Sequence, residues 1–302
     1  MGMTTPSALA FGTNLVAMPT PMNPDFSLDD AGVAAVVRHL VATGCDGVVV
    51  AGTTGESPTL SEDELVRLIG IAVDAADGRA KIVAGVGTND TISSVRRARL
   101  AADAGADGLL VVTPYYSRPT QAGVVAHCSA VADSTDLPVM LYDVPHRTGL
   151  AMTAPTLVEL AAHPRILAVK DATGDIPRAL SIMATSTLEF YCGSDELNLP
   201  FLAAGAVGIV SVAGAIIAAD EARLIAAVAA GDLLTARSVN ASIIEAAATL
   251  NGAAPAPVTT KLALHALGVI ASAAVRPPLA PATADETAAV LAVVDARATT
   301  SA

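Results

Sequence analysis

Eight short runs of nearly uninterrupted apolar, β-branched character recur along this chain: Asn14–Met18, Gly47–Ala51, Lys81–Val86, Gly108–Thr113, Pro138–Asp143, Ile166–Lys170, Leu188–Cys192 and Gly208–Val212. A strand with one face in water alternates polar and apolar residues. These runs do not alternate, which predicts strands buried on both faces, as in a parallel sheet. Helical patterns lie between them. Leu28 to Thr43 is one, with Ser27 as the expected N-cap and Asp29 and Asp30 in its first turn. Ser61-Glu62-Asp63-Glu64 reads as a capping box opening the next. Asn89–Ala104, Pro155–Ala162 and Ile176–Thr185 follow the same pattern. Three related joints, Gly44-Cys45-Asp46-Gly47, Gly105-Ala106-Asp107-Gly108 and Gly205-Ala206-Val207-Gly208, each link a helix end to a strand, the first glycine ending the helix in a left-handed conformation. Repeated alternation of strand and helix predicts an α/β fold, a (β/α)8 TIM barrel. The rival doubly wound sheet lacks its G-x-G-x-x-G signature after the first strand. Residues 1–231 are assigned to the barrel. Residues 232–302 show no strand pattern and are assigned to a C-terminal helical region of three helices, broken near Ala253–Pro257 and Pro277–Pro281.

The run Leu199 to Ala219 carries no charge and is long enough to span a bilayer, but Pro200, Gly205, Gly208 and Gly214 divide it. A buried strand between two helices is expected there, and no membrane association. The net charge of −12 over 302 residues disfavours nucleic acid, whose phosphates such a surface repels. Cys45, Cys128 and Cys192 are widely spaced, fitting a reducing cytoplasm better than a disulfide framework or a metal cage. Met1 to Ala10 lacks the basic and apolar segments of a secretory signal. His39, His127, His146, His163 and His265 show no metal-binding spacing.

In a barrel of this kind chemistry belongs at the C-terminal strand ends. Those ends carry Gly52-Thr53-Thr54-Gly55-Glu56, Thr113-Pro114-Tyr115-Tyr116, Tyr142-Asp143-Val144-Pro145-His146-Arg147 and Lys170-Asp171. The chain has only three lysines, Lys81, Lys170 and Lys261. Lys170 closes an apolar run, so its amine is expected at the barrel mouth, where desolvation disfavours the charged form. A neutral amine there attacks a ketone to form a Schiff base; the plainer alternative is a strand-end lysine paired with Asp171 or another carboxylate. The Thr53-Thr54 loop offers hydroxyls and N–H groups to a small anion, or is an ordinary turn. Tyr115, Tyr116 and Tyr142 either relay protons or anchor loops. Arg147 either clamps a carboxylate or forms a surface ion pair.

Three stretches together, Gly47-Val48-Val49-Val50-Ala51-Gly52-Thr53-Thr54-Gly55-Glu56-Ser57, Val112-Thr113-Pro114-Tyr115-Tyr116, and Tyr142-Asp143-Val144-Pro145-His146-Arg147-Thr148-Gly149 leading to Val169-Lys170-Asp171-Ala172-Thr173-Gly174, resemble the dihydrodipicolinate synthase family. These are the pyruvate-dependent class I aldolases that also include N-acetylneuraminate lyase. The resemblance implies a cytoplasmic homotetramer, a dimer of dimers, with no external cofactor and no metal. It implies that Lys170 forms an imine with pyruvate, and that the derived enamine attacks aspartate 4-semialdehyde to give 4-hydroxy-tetrahydrodipicolinate, on the route to diaminopimelate and lysine. By the same resemblance Tyr142 transfers protons beside the imine, with Thr53 as its hydrogen-bonded partner, and Tyr116 completes the relay by crossing into a neighbouring subunit. Thr53 and Thr54 hold the pyruvate carboxylate, Arg147 binds the carboxylate of the second substrate, and Val210 supplies eighth-strand backbone near the imine. Arg147 with Thr53-Thr54 favours the lysine-pathway enzymes over sialic acid lyases. Sugar-acid aldolases or dehydratases, and a silent keto-acid-binding paralogue, remain as alternatives.

The chain departs from the family pattern at several points. Gly193-Ser194-Asp195 stands where Gly-Asp-Asp is common, Asp143 replaces a frequent asparagine, and the stretch before Lys261 lacks an Asn-Pro start. Glu62, Leu65 and Ser93 occupy places where lysine-inhibited members often carry His, His and Glu. Loss of a carboxylate partner for an ammonium predicts weak or absent inhibition by lysine.

Overall fold

A computed structural model describes residues 9–300, with side chains through 298; the stretch read for a signal, Met1 to Ala10, lies outside it up to residue 8. Eight strands form one closed parallel barrel in sequence order. They are β1 (Asn14–Ala17), β2 (Gly47–Val50), β3 (Lys81–Gly85), β4 (Gly108–Val112), β5 (Val139–Asp143), β6 (Ile166–Asp171), β7 (Glu189–Cys192) and β8 (Gly208–Ser211). The ring closes where β1 pairs with β8, Leu15 opposite Val210. Around it lie α1 (Asp30–Ala42), α2 (Glu62–Ala76), α3 (Thr91–Asp103), α4 (Gln121–Ala132), the short α5 (Pro145–Thr148), α6 (Ala154–Leu160), α7 (Ile176–Met183), α8 (Asn198–Ala204) and α9 (Gly214–Ala229). Three helices follow: α10 (Leu233–Gly252), α11 (Ala256–Ala266) and α12 (Ala284–Thr300). The uncharged run 199–219 is divided among α8, β8 and α9, and no helix among the described residues is long and apolar enough to cross a membrane.

Strand alternation sorts the apolar residues into two cores. Leu15, Val49, Val83, Leu110, Met140, Ala168 and Val210 fill the barrel, while Val16, Val48, Val50, Val111, Leu141 and Val169 pack outward against the helices. Phe11 plugs the N-terminal end, edge-on to Tyr191 with ring centroids 6.3 Å apart.

The repeated helix-to-strand joint has a physical use at each position. Gly44, Gly105 and Gly205 are left-handed, as expected. The aspartate, where present, ties down the start of the preceding strand: Asp46 accepts from the N–H groups of Thr13 and Asn14, and Asp107 from that of Ile82. The second glycine opens the strand where the barrel floor is tightest. A Cβ at Gly208 would lie 2.3 Å from the Thr13 carbonyl oxygen, and one at Gly108 would lie 2.7 Å from the Phe11 ring.

Two local expectations are corrected. Asp29, not Ser27, caps α1 by accepting from the Gly32 N–H, while the Ser27 hydroxyl donates to Asp25. A longer acceptor two residues on leaves Ser27 to the preceding turn. Helix α4 has no counterpart among the helical patterns of the sequence, because its apolar residues run round the whole circumference and give no stripe to detect. The Ser61 capping box is present, with both reciprocal bonds.

Gly208→Ala tests the floor. The new methyl group meets a backbone oxygen that cannot move without opening the β1–β8 seam, so a loss of about 1–3 kcal/mol is expected in denaturation experiments. An unchanged midpoint would mean that the seam yields.

Candidate active site

Lys170 lies on β6 in register with Tyr142 on β5. Its side chain follows Ala168 into the barrel, and the residue is only 4% exposed. Its Nζ stands over the face of Tyr142, 4.5 Å from the ring centroid. On the other side, Gly193 makes room: a Cβ there would come within 2.9 Å of the Lys170 Cγ.

The other lysines are both paired, Lys81 with Asp107 on the surface and Lys261 with Glu56 in the interior. Among the described residues no carboxylate lies within 4.0 Å of the Lys170 ammonium, so the paired strand-end reading fails. Asp171 points to the opposite face of the strand. There its carboxylate takes the Thr173 hydroxyl at 2.7 Å and the Arg178 guanidinium at 3.2 Å. Arg178, on α7, also binds Asp143 at 2.6 Å. Burial pushes the Asp143 carboxyl up to about 6, with Arg178 and the Met152 N–H pulling it back and nearby Asp171 adding to the rise.

Lys170, Tyr142, Thr53, Thr54 and Arg147 line one cavity of about 180 Å³ at the barrel mouth. Thr54 is buried. Thr53 and Tyr142 share this cavity, but no hydrogen bond joins their hydroxyls among the described residues. Arg147, on α5, is exposed and forms no ion pair among the described residues, which removes the surface-pair reading. Val210 is fully buried in the barrel interior, and it is Val212 that reaches the cavity lining. Tyr116 is not brought to the Lys170 of its own chain. It is 89% exposed, with a left-handed φ of 69°.

Three further lining residues escaped the reading of the sequence as functional. Asn251, from α10, donates its amide to Asp195 at 2.8 Å, and Asp195 also accepts the N–H groups of Val212 and Ala213. Among the described residues Glu196 is the only carboxylate lining the cavity, and partial burial raises its pKa. His146 sits beside Arg147, and burial, followed by that neighbouring charge, lowers its pKa. The order Gly193-Ser194-Asp195-Glu196 at a strand end was a signal for the acidic pair. Nothing local marks Asn251, which arrives from a distant helix.

A second, mostly apolar cavity of about 330 Å³ adjoins the first, sharing Thr53 and Arg147 and walled by Tyr115, Val144, Pro257 and Leu279. Elsewhere, Glu62 and Ser93 border a groove of about 290 Å³ with Arg97 and Tyr115, whereas Leu65 is buried in the core. No group of three or more His, Cys, Asp or Glu among the described residues is arranged to hold a metal ion.

A family model described as the dihydrodipicolinate synthetase family matches residues 10–297. The chain belongs to this family. It is 48% identical over 282 residues to a 4-hydroxy-tetrahydrodipicolinate synthase from Kineococcus radiotolerans, covering 93% of this chain and 92% of that one. Among solved structures, a dihydrodipicolinate synthase from Bacillus anthracis superposes with a TM-score of 0.91 at 38% identity, covering 94% of this chain and 98% of that one. A chloride-inhibited dihydrodipicolinate synthase from Acinetobacter baumannii, complexed with pyruvate, gives 0.91 at 34% identity, covering 95% and 98%.

The Asp143 carboxyl yields a pH prediction. Its folded pKa, about 6, exceeds the ordinary 3.8, so the folded chain holds this proton more tightly than the unfolded one. The resulting stabilisation is complete below 3.8 and is lost as pH rises through about 6. Asp143→Asn cannot ionise. Between about pH 5 and about pH 7 the parent should lose thermal stability that this variant keeps; parallel Tm-against-pH curves would show that Asp143 does not titrate there.

Proposed function

We propose that this chain condenses pyruvate with aspartate 4-semialdehyde to give 4-hydroxy-tetrahydrodipicolinate, through an imine on Lys170. The observation that carries the reading is the amine itself: buried at the mouth, with no carboxylate of the described residues within ion-pair reach, and facing a phenol. An amine held in a salt bridge is a poor nucleophile, whereas one beside a neutral ring keeps its lone pair available once deprotonated.

The Lys170 nitrogen attacks the pyruvate ketone carbon, and the carbonyl oxygen leaves as water. The iminium draws electrons from the methyl group, so a methyl proton is lost and an enamine forms. Its carbon attacks the aldehyde, whose oxygen takes a proton to become the hydroxyl group. The amino group of the adduct then attacks the iminium carbon, closes the ring and releases Lys170. Tyr142, against the Lys170 side chain, carries the protons in this scheme. Thr53 and Thr54 hold the pyruvate carboxylate, Arg147 takes the carboxylate of the aldehyde, and the backbone running from Val210 on β8 to the cavity-lining Val212 passes beside the imine.

Tyr116 completes the relay in a neighbouring subunit. Its exposure and left-handed backbone support that role, as does the apolar cavity beside Thr53, which has room for an aromatic side chain. The working particle is then a cytoplasmic homotetramer, with residues 1–231 as the catalytic barrel and 232–302 as the helical region.

Borohydride reduction in the presence of pyruvate should add one pyruvyl group at Lys170, seen by intact mass and lost in Lys170→Ala. No adduct would leave only a keto-acid binder. Tyr142→Phe should lower kcat by about 10²–10⁴-fold, the usual worth of a placed proton-transfer group, and a loss below threefold would remove Tyr142 from the relay. Turnover of 2-keto-3-deoxy sugar acids in preference to aspartate 4-semialdehyde would reassign the substrate.

Added lysine should inhibit weakly or not at all. Glu62 is already bound by Arg96 at 2.5 Å, and Ser93 offers the groove no charge. Strong inhibition at sub-millimolar lysine would overturn this.

A further inference from the structure

Lys261 is the most deeply buried cation of the chain, and no step above uses it. Its side chain is fully buried, and its ammonium is bound by the Glu56 carboxylate and, at 2.7 Å, by the Ala274 carbonyl oxygen. Glu56 ends the loop Gly52-Thr53-Thr54-Gly55-Glu56 and holds a left-handed φ of 56°. Its second carboxylate oxygen accepts the Arg276 N–H at 2.8 Å. The Arg276 side chain then reaches back to the barrel, donating to the Thr59 carbonyl at 2.7 Å, to the Phe26 carbonyl at 2.7 Å, and to both carboxylate oxygens of Glu64 on α2.

We infer that Glu56, Lys261 and Arg276 form a latch by which the helical region after the barrel fixes the position of the Thr53–Thr54 loop, making these three positioning residues for the keto-acid carboxylate. The inference rests on the proposed role of that loop.

Two features make the latch more than general stabilisation. It grips the loop within three residues of the two hydroxyls. It also forms the outer wall of the apolar cavity beside Thr53, which both Glu56 and Arg276 line. A left-handed glutamate has no steric reason to persist unless its carboxylate is held. Here two donors, 205 and 220 residues away, hold it. A loop displaced by a fraction of an ångström would present its hydroxyls off-line to pyruvate while leaving Lys170, on β6, untouched.

The test is the paired substitution Glu56→Gln with Lys261→Met, which keeps the volume and removes both buried charges. Replacing a buried ion pair with neutral groups of similar size is often tolerated, so the variant should fold with a Tm near that of the parent. Its pyruvate KM should rise by about tenfold or more, the scale of a slightly misplaced binding group. KM for the aldehyde should stay within about twofold, and saturating pyruvate should still be trapped on Lys170 by borohydride. A folded variant with an unchanged pyruvate KM overturns the proposal. Should the pair fail to fold, Arg276→Gln decides. It cuts the bonds from the latch to Glu64, Thr59 and Phe26 but spares the buried pair, and it should raise the pyruvate KM by about threefold or more; no change overturns the latch. A parent enzyme that never traps pyruvate overturns the reading of the site, and the latch with it.

Discussion

An amine next to a carboxylate in the sequence is kept apart from it in space, and the site depends on that separation. Lys170 and Asp171 are neighbours in the chain, but a β-strand sends successive side chains to opposite faces. The amine enters the barrel and the carboxylate goes to the helical layer, where Arg178 and Thr173 hold it. The same alternation sends Tyr142 inward and Asp143 outward, again to Arg178. One guanidinium therefore takes both acids that follow the two inward-facing residues. Without it, two buried carboxylates would repel each other behind the strands, and either one moving inward would pair with the amine and hold it as the ammonium. The chemistry of the mouth is prepared on the outside of the barrel.

Carboxylates serve this fold mainly as ties between strands and loops. Asp46 and Asp107 secure strand starts at the floor, Asp195 gathers the β8–α9 turn together with Asn251, and Glu56 anchors the β2 loop. Burial raises the cost of each ionised acid, and the structure meets that cost with several donors per carboxylate. Glu221 is an exception. It accepts only the Ser211 hydroxyl, its second oxygen has no partner, and burial drives its pKa well above that of an ordinary carboxyl. A protonated Glu221 suits that position, because a neutral acid needs fewer partners than an ion.

Much of this was legible in the sequence because it is local. The eight strands announce themselves as unbroken apolar runs, and the glycines of the helix-to-strand joints mark where the chain turns. Lys170 stands out because so few lysines compete with it. What was not legible has physical causes of two kinds. Helix α4 lacks an amphipathic stripe because its exposed face carries alanines, Ala122 and Ala126, in place of charged residues. Asn251, Lys261 and Arg276 act on loops 56 to 220 residues away, and nothing in their own neighbourhood indicates it. The sequence predicts a cap at Ser27 because residue type alone does not tell which of several short acceptors reaches the first free N–H groups. Asp29 does reach them.

The separation of local from distant information also explains why the helical tail accompanies the barrel. Each strand-end loop of a (β/α)8 barrel is free to vary, which lets the fold host many reactions, but a free loop does not hold a hydroxyl to the tolerance that an imine-forming site demands. The β2 loop is short and glycine-bounded, so its own residues supply few contacts to fix it. Thr20 donates to its Gly55 carbonyl, and the bonds to its one carboxylate come from α11 and the segment after it, just as Asn251 of α10 fixes Asp195 across the mouth. Two sides of the cavity are thus braced by one C-terminal region while Lys170 and Tyr142 are braced by the sheet. The rigid strands carry the reacting amine and phenol. The tail supplies the restraint that the loops cannot generate for themselves.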